Sequence, residues 1–186
     1  MRLIVAITGA SGVTYSKRLL EVLKTENVEI HLVISKASEG IIEHELGTTK
    51  EELGRIAHFV YAADDFNSPL SSGSFLTDGM IVIPCSMKTL AGIAQGYSES
   101  LILRAADVTL KERRRLILVP RETPLSSIHL RNMLDLATQG VAIIPAMPAF
   151  YHEPQRIEDL INFIVGKVLD SLGITHNLFT RWSGTS

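Results

Sequence analysis

Leu3-Ile4-Val5-Ala6-Ile7-Thr8-Gly9-Ala10-Ser11-Gly12 is the stretch that decides the fold. Apolar residues in an unbroken run, closed by turn residues, read as a strand buried on both faces, the habit of a parallel sheet. Residues 8–12 then read as a tight turn feeding a helix, with Gly9 and Gly12 giving backbone freedom and room for a ligand against the main chain. Amides at the mouth of such a turn, backed by the dipole of the next helix, suit a phosphate, and a hydroxyl at Thr8 or Ser11 adds a hydrogen bond. The alternative is an ordinary strand-to-helix turn without a ligand. The three-glycine dinucleotide pattern is not met, and no Gly-Lys-Ser/Thr follows. The stretch therefore points to a site at the sheet's carboxyl edge without naming a nucleotide.

Outward from this turn the strand–turn–helix unit recurs. Residues 13–24 read as a helix with Leu19, Leu20 and Leu23 on one face and Lys17, Arg18, Glu21 and Lys24 on the other. Residues 30–35 are a second strand ending in Ser35. Residues 38–46 are a short helix with Glu43 and Glu45 near its end, and 49–56 another, opened by Thr49 with Glu52 as a capping box. Residues 80–84 are a buried strand running into Cys85-Ser86-Met87-Lys88-Thr89 and a helix over 90–95. Leu101–Lys111 is a helix with Arg104, Asp107 and Lys111 on one face, its two cations about 10 Å apart along the axis. A strand at 116–120 leaves through Arg121-Glu122-Thr123-Pro124, a helix spans 126–139, and the last strand is 141–145. A proline-set loop leads to Tyr151, and Ile157–Leu172 is a long helix with an unbroken apolar face from Ile157 to Leu172 and Lys167 beside it. Residues 64–78, the longest irregular stretch, read as a lid, a binding loop or a contact with a neighbour.

The 186 residues suit one domain over 1–173, with a tail at 174–186 that packs on it or on a neighbouring subunit. Hydrophobic residues at 46% supply a full core, and a net charge of −2 without a basic block argues against bulk nucleic-acid binding. Cys85 is the only cysteine, which excludes an intrachain disulfide and a cysteine zinc cluster, and the histidines show no paired ligand spacing, so no metal is expected. No signal peptide precedes the first strand and no apolar run is long enough for a bilayer, so a cytoplasmic protein is expected. The βαβ order predicts an α/β fold, a doubly wound parallel sheet whose exits at 8–12, Ser35, 85–89 and 121–122 converge at one edge.

Hydroxyls, glycines and main-chain donors at such an edge suit a phosphate and a flat polar ring. Arg121 offers a planar cation and Lys88 a second charge; alternatively Arg121 pairs with a local acid and Lys88 is solvated. Arg104 and Lys111 are read first as a solvated face bridged through Asp107. Glu45 and Glu122 are the carboxylates best placed for acid–base work. Tyr151 could hold an anion or simply pack, nothing in their spacing singles out His129 or His152 as bases, and Cys85 reads as a small buried hydrophobe.

Ile7-Thr8-Gly9-Ala10-Ser11-Gly12, Ser71-Ser72-Gly73-Ser74-Phe75, Pro84-Cys85-Ser86-Met87-Lys88-Thr89-Leu90, Arg104-Ala105-Ala106-Asp107-Val108, Leu110-Lys111-Glu112-Arg113-Arg114, Val119-Pro120-Arg121-Glu122-Thr123-Pro124-Leu125 and Pro148-Ala149-Phe150-Tyr151 together resemble the flavin prenyltransferase family, UbiX. The likeness runs from the first strand to about Lys167. It implies a Rossmann-like or flavodoxin-like flavoprotein that joins the dimethylallyl group of dimethylallyl phosphate to N5 and C6 of reduced FMN without a metal. It also implies a homo-oligomer, a dodecamer with sites at subunit contacts, and delivery of prenylated FMN to a UbiD-type decarboxylase. Carried onto this chain, Gly9, Ala10, Ser11, Ser35, Ser86, Met87, Lys88, Thr89 and Arg121 would contact FMN. Arg104, Lys111, Glu122, Tyr151 and Lys167 would surround the prenyl phosphate, and Ser11 and Glu45 would handle protons at the flavin. Two alternatives stay open. One is a flavin-dependent cysteine decarboxylase, whose Pro-Ala-Ser-Ala-Asn-Thr-type loop has no counterpart here. The other is a flavin-binding accessory subunit of a hydroxyarylic-acid decarboxylase, which would not need the cluster of Arg104, Lys111, Tyr151 and Lys167.

Overall fold

A computed structural model describes residues 1–184; residues 185 and 186, the end of the tail, lie outside the described residues. Strands β1 (Arg2–Ile7), β2 (Glu29–Ile34), β3 (Phe59–Tyr61), β4 (Gly79–Cys85), β5 (Arg115–Pro120) and β6 (Ala142–Ile143) form a wholly parallel sheet in the order β3-β2-β1-β4-β5-β6. Helices α1 (Val13–Thr25), α2 (Glu39–Leu46), α3 (Lys50–Gly54), α4 (Met87–Ala94), α5 (Leu101–Lys111), α6 (Ser127–Thr138) and α7 (Ile157–Leu172) complete the chain. The chain winds outward from β1 to β3, then returns to lay β4 on the other side of β1. This is the Rossmann order, distinct from the flavodoxin order, and its crevice opens at the carboxyl ends where the winding reverses.

The continuous apolar run of β1 serves two cores at once. Leu3, Val5 and Ile7 pack with Leu19, Leu20 and Leu23 of α1 and with Val165, Val168 and Leu169 of α7. Ile4 and Ala6 face Leu90 of α4 and Ile102, Ala105 and Ala106 of α5. Alternate side chains point to opposite faces of a strand, so both layers are held by the same five residues. Each large aliphatic side chain so buried contributes about 1.5–3 kcal/mol relative to exposure. No helix among the described residues is long and apolar enough to cross a membrane.

Several elements depart from the sequence reading. β3 was not foreseen: it is three residues long, lies at the sheet edge and leaves Phe59 and Val60 exposed, so it has no buried run to read. The last strand is two residues, not five, because Pro145 has no amide to offer a ladder. Helix α4 begins at Met87 rather than at residue 90, since the Ser86 hydroxyl accepts from the Thr89 amide (3.3 Å) and caps it. The apolar face of α7 is not unbroken: Ile157, in its first turn, is 72% exposed.

Residues 64–78 are strapped down by arginines on their backbone carbonyls. Arg104 donates to Ser71 (3.0 Å), Arg114 to Phe75 (2.8 Å) and Gly73 (2.6 Å), and Arg2 to Leu76 (3.0 Å). With Leu70 buried beneath them, these bonds argue against a lid.

Candidate functional site

Successive strand exits are laced to one another along the carboxyl edge. The Ser35 amide donates to the Ile7 carbonyl (2.9 Å). The Thr8 hydroxyl donates to Pro84 (2.8 Å) and accepts from the Ser86 amide (2.8 Å). The Arg121 amide donates to Cys85 (3.3 Å), and that of Ala146 to Pro120 (3.1 Å). The rim is thereby continuous from β2 to the segment after β6. Thr8, read from sequence as a ligand contact, is 1% exposed and its hydroxyl is committed to this lacing.

The turn after β1 carries a second correction. Gly12 sits at φ +105°, in the left-handed region, and a Cβ there would meet the Tyr15 ring at 2.9 Å, so only glycine fits. Its amide donates to both Glu45 oxygens (2.9 and 3.1 Å), and the Val13 amide donates to Glu45 Oε2 (3.1 Å). The anion at the N-terminus of α1 is therefore the protein's own carboxylate, where the sequence reading placed a ligand phosphate. Ser11, exposed at the crest of the turn, is next in the chain to Gly12, so Ser11 and Glu45 come together at one place.

Tyr15 was not singled out from the sequence. Burial pushes its phenol up, while Arg121 pulls it down and Glu45 raises it, so both groups lie within electrostatic reach of one half-buried ring.

A cavity of about 830 Å³ opens between this rim and α4, a size suited to a small-molecule site. Gly9, Ser35, Ser86, Lys88, Thr89 and Glu122 are among its walls. A Cβ on Gly9 would come within 2.8 Å of the Ala37 Cβ, so the floor is already tight without a side chain. Ser86 and Thr89 hydroxyls pair at 3.1 Å, and Lys88 reaches Glu99 at 3.4 Å with its side chain 85% exposed. Glu122 also lines a second cavity of about 460 Å³ with Arg121, Met133 and Met147. A larger cavity, about 1020 Å³, lies toward β3 among Lys50, Arg55 and His58; it holds none of the rim hydroxyls.

The remaining sequence-derived residues stand elsewhere on the chain. Arg104 pairs with Asp107 (2.8 Å), as expected, whereas Lys111 pairs with Glu112 and not with Asp107. Both project from α5 beside the strapped 64–78 segment, and neither lines the 830 Å³ cavity. Tyr151 meets Phe163 of α7 edge-on (6.1 Å), and Lys167 of α7 pairs with Asp170 (3.5 Å). The rim residues are thus gathered by one chain, and the cations of α5 and α7 are not gathered with them. His129 is spent capping α6: its ring nitrogen accepts from the Ser126 amide (3.2 Å). His152 stacks on Phe163 (5.3 Å). Cys85 is buried, which pushes its thiol far up and leaves it a packing residue. Among the described residues no group of His, Cys, Asp or Glu is clustered as a metal ion requires.

The Flavoprotein family matches residues 1–169. A flavin prenyltransferase UbiX of Methanocaldococcus jannaschii is 54% identical over 182 residues, covering 98% of each chain. The chain belongs to the flavin prenyltransferase family. Its fold follows that of solved family members closely. A dodecameric FMN-dependent UbiX-like decarboxylase from Escherichia coli O157:H7 superimposes with a TM-score of 0.97 at 51% identity, covering 99% of this chain and 100% of that one. A UbiX protein solved in complex with FMN and dimethylallyl pyrophosphate gives a TM-score of 0.97 at 50% identity, covering 100% of this chain and 98% of that one. Flavin prenyltransferase membership accounts for a rim of hydroxyls and main-chain donors around one cavity.

Proposed function

We propose that this protein joins the dimethylallyl group of dimethylallyl phosphate to N5 and C6 of reduced FMN, and that the prenylated FMN serves a UbiD-type decarboxylase. The observation that carries this reading is the Glu45 carboxylate fastened to Gly12 beside Ser11, in the same turn as Gly9, which lines the 830 Å³ cavity. The donor set there fits a flavin mononucleotide. The Gly9 and Ser11 amides have no partner among the described residues, and the Ser35, Ser86 and Thr89 hydroxyls with Lys88 suit a phosphate ester and a polyol. Gly9, Ala10, Ser11, Ser35, Ser86, Met87, Lys88, Thr89 and Arg121 are the residues assigned to hold it.

Reduced flavin, when bound, supplies the electron-rich nucleophile. The chain's own side chains supply the rest. Arg104, Lys111, Glu122, Tyr151 and Lys167 are assigned to the phosphate: cations there stabilise the charge left on it as the allylic C–O bond breaks with its electron pair. Glu45, held by the Gly12 and Val13 amides, would take up the proton that ring closure sheds when flavin is bound, with Ser11 next to it in the turn as a relay.

The reading includes a homo-oligomer, a dodecamer, in which neighbouring chains bring the cations of α5 and α7 to each rim. Exposed Ile128 and Leu134 on α6, with Met147 and Phe150 on the following loop, support it, since apolar surface of this kind is normally covered. A cytoplasmic location belongs to the same proposal. Anaerobic incubation with reduced FMN and dimethylallyl phosphate, followed by mass spectrometry, tests the reading: the flavin gains one prenyl group, and its recovery unchanged overturns it.

A further inference from the structure

Asp170, on the last turns of α7, gathers more positive charge than it can balance. Its Oδ2 accepts from Lys167 Nζ (3.5 Å) and from an Arg181 terminal nitrogen (3.2 Å). Its Oδ1 takes the other Arg181 nitrogen (2.7 Å) and His176 Nε2 (3.1 Å). Sharing one oxygen keeps the Lys167 and Arg181 heads within about 7 Å of each other, a gap that one phosphate can bridge with a charge-assisted hydrogen bond to each. Both cationic side chains are about half exposed, at 48% and 56%, while Asp170 between them is 23% exposed.

The placement of Arg181 is built into the fold. A Cβ on Gly166 would collide with the Phe179 and His176 rings, so glycine immediately before Lys167 lets the tail seat on α7. Arg181 then lies over the Phe179 ring (5.5 Å), and Trp182 meets Tyr151 edge-on (5.7 Å). Two cations, a tyrosine hydroxyl and exposed aromatic surface thus stand at one place, the mixed polar and apolar character that a short allylic monophosphate presents.

We infer that Arg181 is a further substrate-binding residue of the prenyl-transfer site, holding the substrate phosphate together with Lys167, with Asp170 positioning both. The inference rests on the reading that Tyr151 and Lys167 serve that phosphate.

The test uses the full chain with Arg181→Gln, which keeps a hydrogen bond to Asp170 without the charge, and with Arg181→Lys and Lys167→Ala. Steady-state prenylation of reduced FMN gives KM for dimethylallyl phosphate, and inorganic phosphate serves as a competing ligand. Arg181→Gln is expected to raise KM about tenfold or more, by a larger factor than kcat falls. It is also expected to weaken inhibition by inorganic phosphate to a similar degree, with much of both restored in Arg181→Lys. Trp182, the only tryptophan, reports by its emission whether the tail stays seated. If Arg181→Gln leaves KM and phosphate inhibition unchanged while Lys167→Ala alters both, this inference fails and the reading beneath it stands. If neither variant alters either quantity, the assignment of the phosphate to this cluster fails altogether. A raised KM with altered Trp182 emission that Arg181→Lys does not restore makes Arg181 a tail anchor and overturns the inference.

Discussion

The Glu45 carboxylate accepts the Gly12 amide at 2.9 Å, closing the end of α2 onto the turn after β1. Thirty-three positions of sequence separate the two residues, yet the contact fills the anion site that the α1 N-terminus presents. It also points a carboxylate at the rim with its backbone partners already supplied, which is what a base needs to be held in one geometry.

Glu45→Gln should therefore separate binding from chemistry. The amide oxygen can still accept from Gly12, so FMN is expected to remain bound at near-normal affinity. Formation of prenylated product is expected to slow by about 100-fold or more, the usual contribution of a positioned base. Flavin titration and single-turnover product analysis check the two halves, and unimpaired turnover would remove Glu45 from the mechanism.

Arg121 leaves the rim through a backbone bond to Cys85, and no acid pairs with its guanidinium among the described residues. Replacing Arg121 with Ala is expected to weaken FMN binding roughly 10- to 100-fold, the worth of one or two hydrogen bonds to a charged group. A purified variant that keeps its yellow colour through dilution and gel filtration as well as the parent does would contradict this.

Thr8→Val removes a buried hydroxyl that both donates to Pro84 and accepts from the Ser86 amide. The isosteric side chain fills the space but leaves the Ser86 amide without its acceptor, while the Pro84 carbonyl keeps the Thr8 amide (3.3 Å), so a loss of about 1–3 kcal/mol is expected in urea unfolding. Flavin affinity should fall as well, because that hydroxyl sets β1 and β4 exits in register. Unchanged affinity in a destabilised protein would show the lacing to be structural alone.

Acid sensitivity is expected from the far side of β2. Glu29 accepts from Arg2 (2.5 Å) and His31 (2.7 Å), and these bonds, Arg2 first, hold its carboxyl down at about 2. Burial likewise lowers His31, against the raising effect of Glu29, while its other nitrogen meets the Tyr61 hydroxyl (2.8 Å). Both groups bind protons more readily unfolded than folded, so both stabilise the fold at high pH. The His31 contribution is lost as pH falls below about 6.5, and that of Glu29 as it falls from about 4.5 toward 2. Denaturation midpoints measured from pH 7 to pH 3 should decline, and Glu29→Gln should flatten the lower part of that decline. A parent protein with a flat profile would exclude the network as a source of acid lability.

Much of this architecture is legible residue by residue. The limits of α5 and α7 follow from their 3.6-residue pattern, and the Thr49–Glu52 capping box forms as its spacing demands, because these signals are local. β3 escapes such a reading since its place comes from pairing with β2, where Phe59 lies opposite His31, and not from any apolar pattern of its own. The same limit applied to α4, where the Ser86 cap and not the apolar spacing sets the first residue.

Sequence alone determined that buried strands alternate with amphipathic helices, and hence that hydroxyls, glycines and Arg121 leave the sheet at one edge. Burying apolar runs is a near-neighbour matter that composition and period encode. Tertiary structure alone decided that Glu45 occupies the α1 N-terminus, that the Thr8 hydroxyl is spent on β4, and that Lys167 and Arg181 share one carboxylate. The first two pairings join residues from different crossings of the sheet and the third joins α7 to the tail folded back on it, and a hydrogen bond a few ångströms long exists only once the packing has set both ends in place.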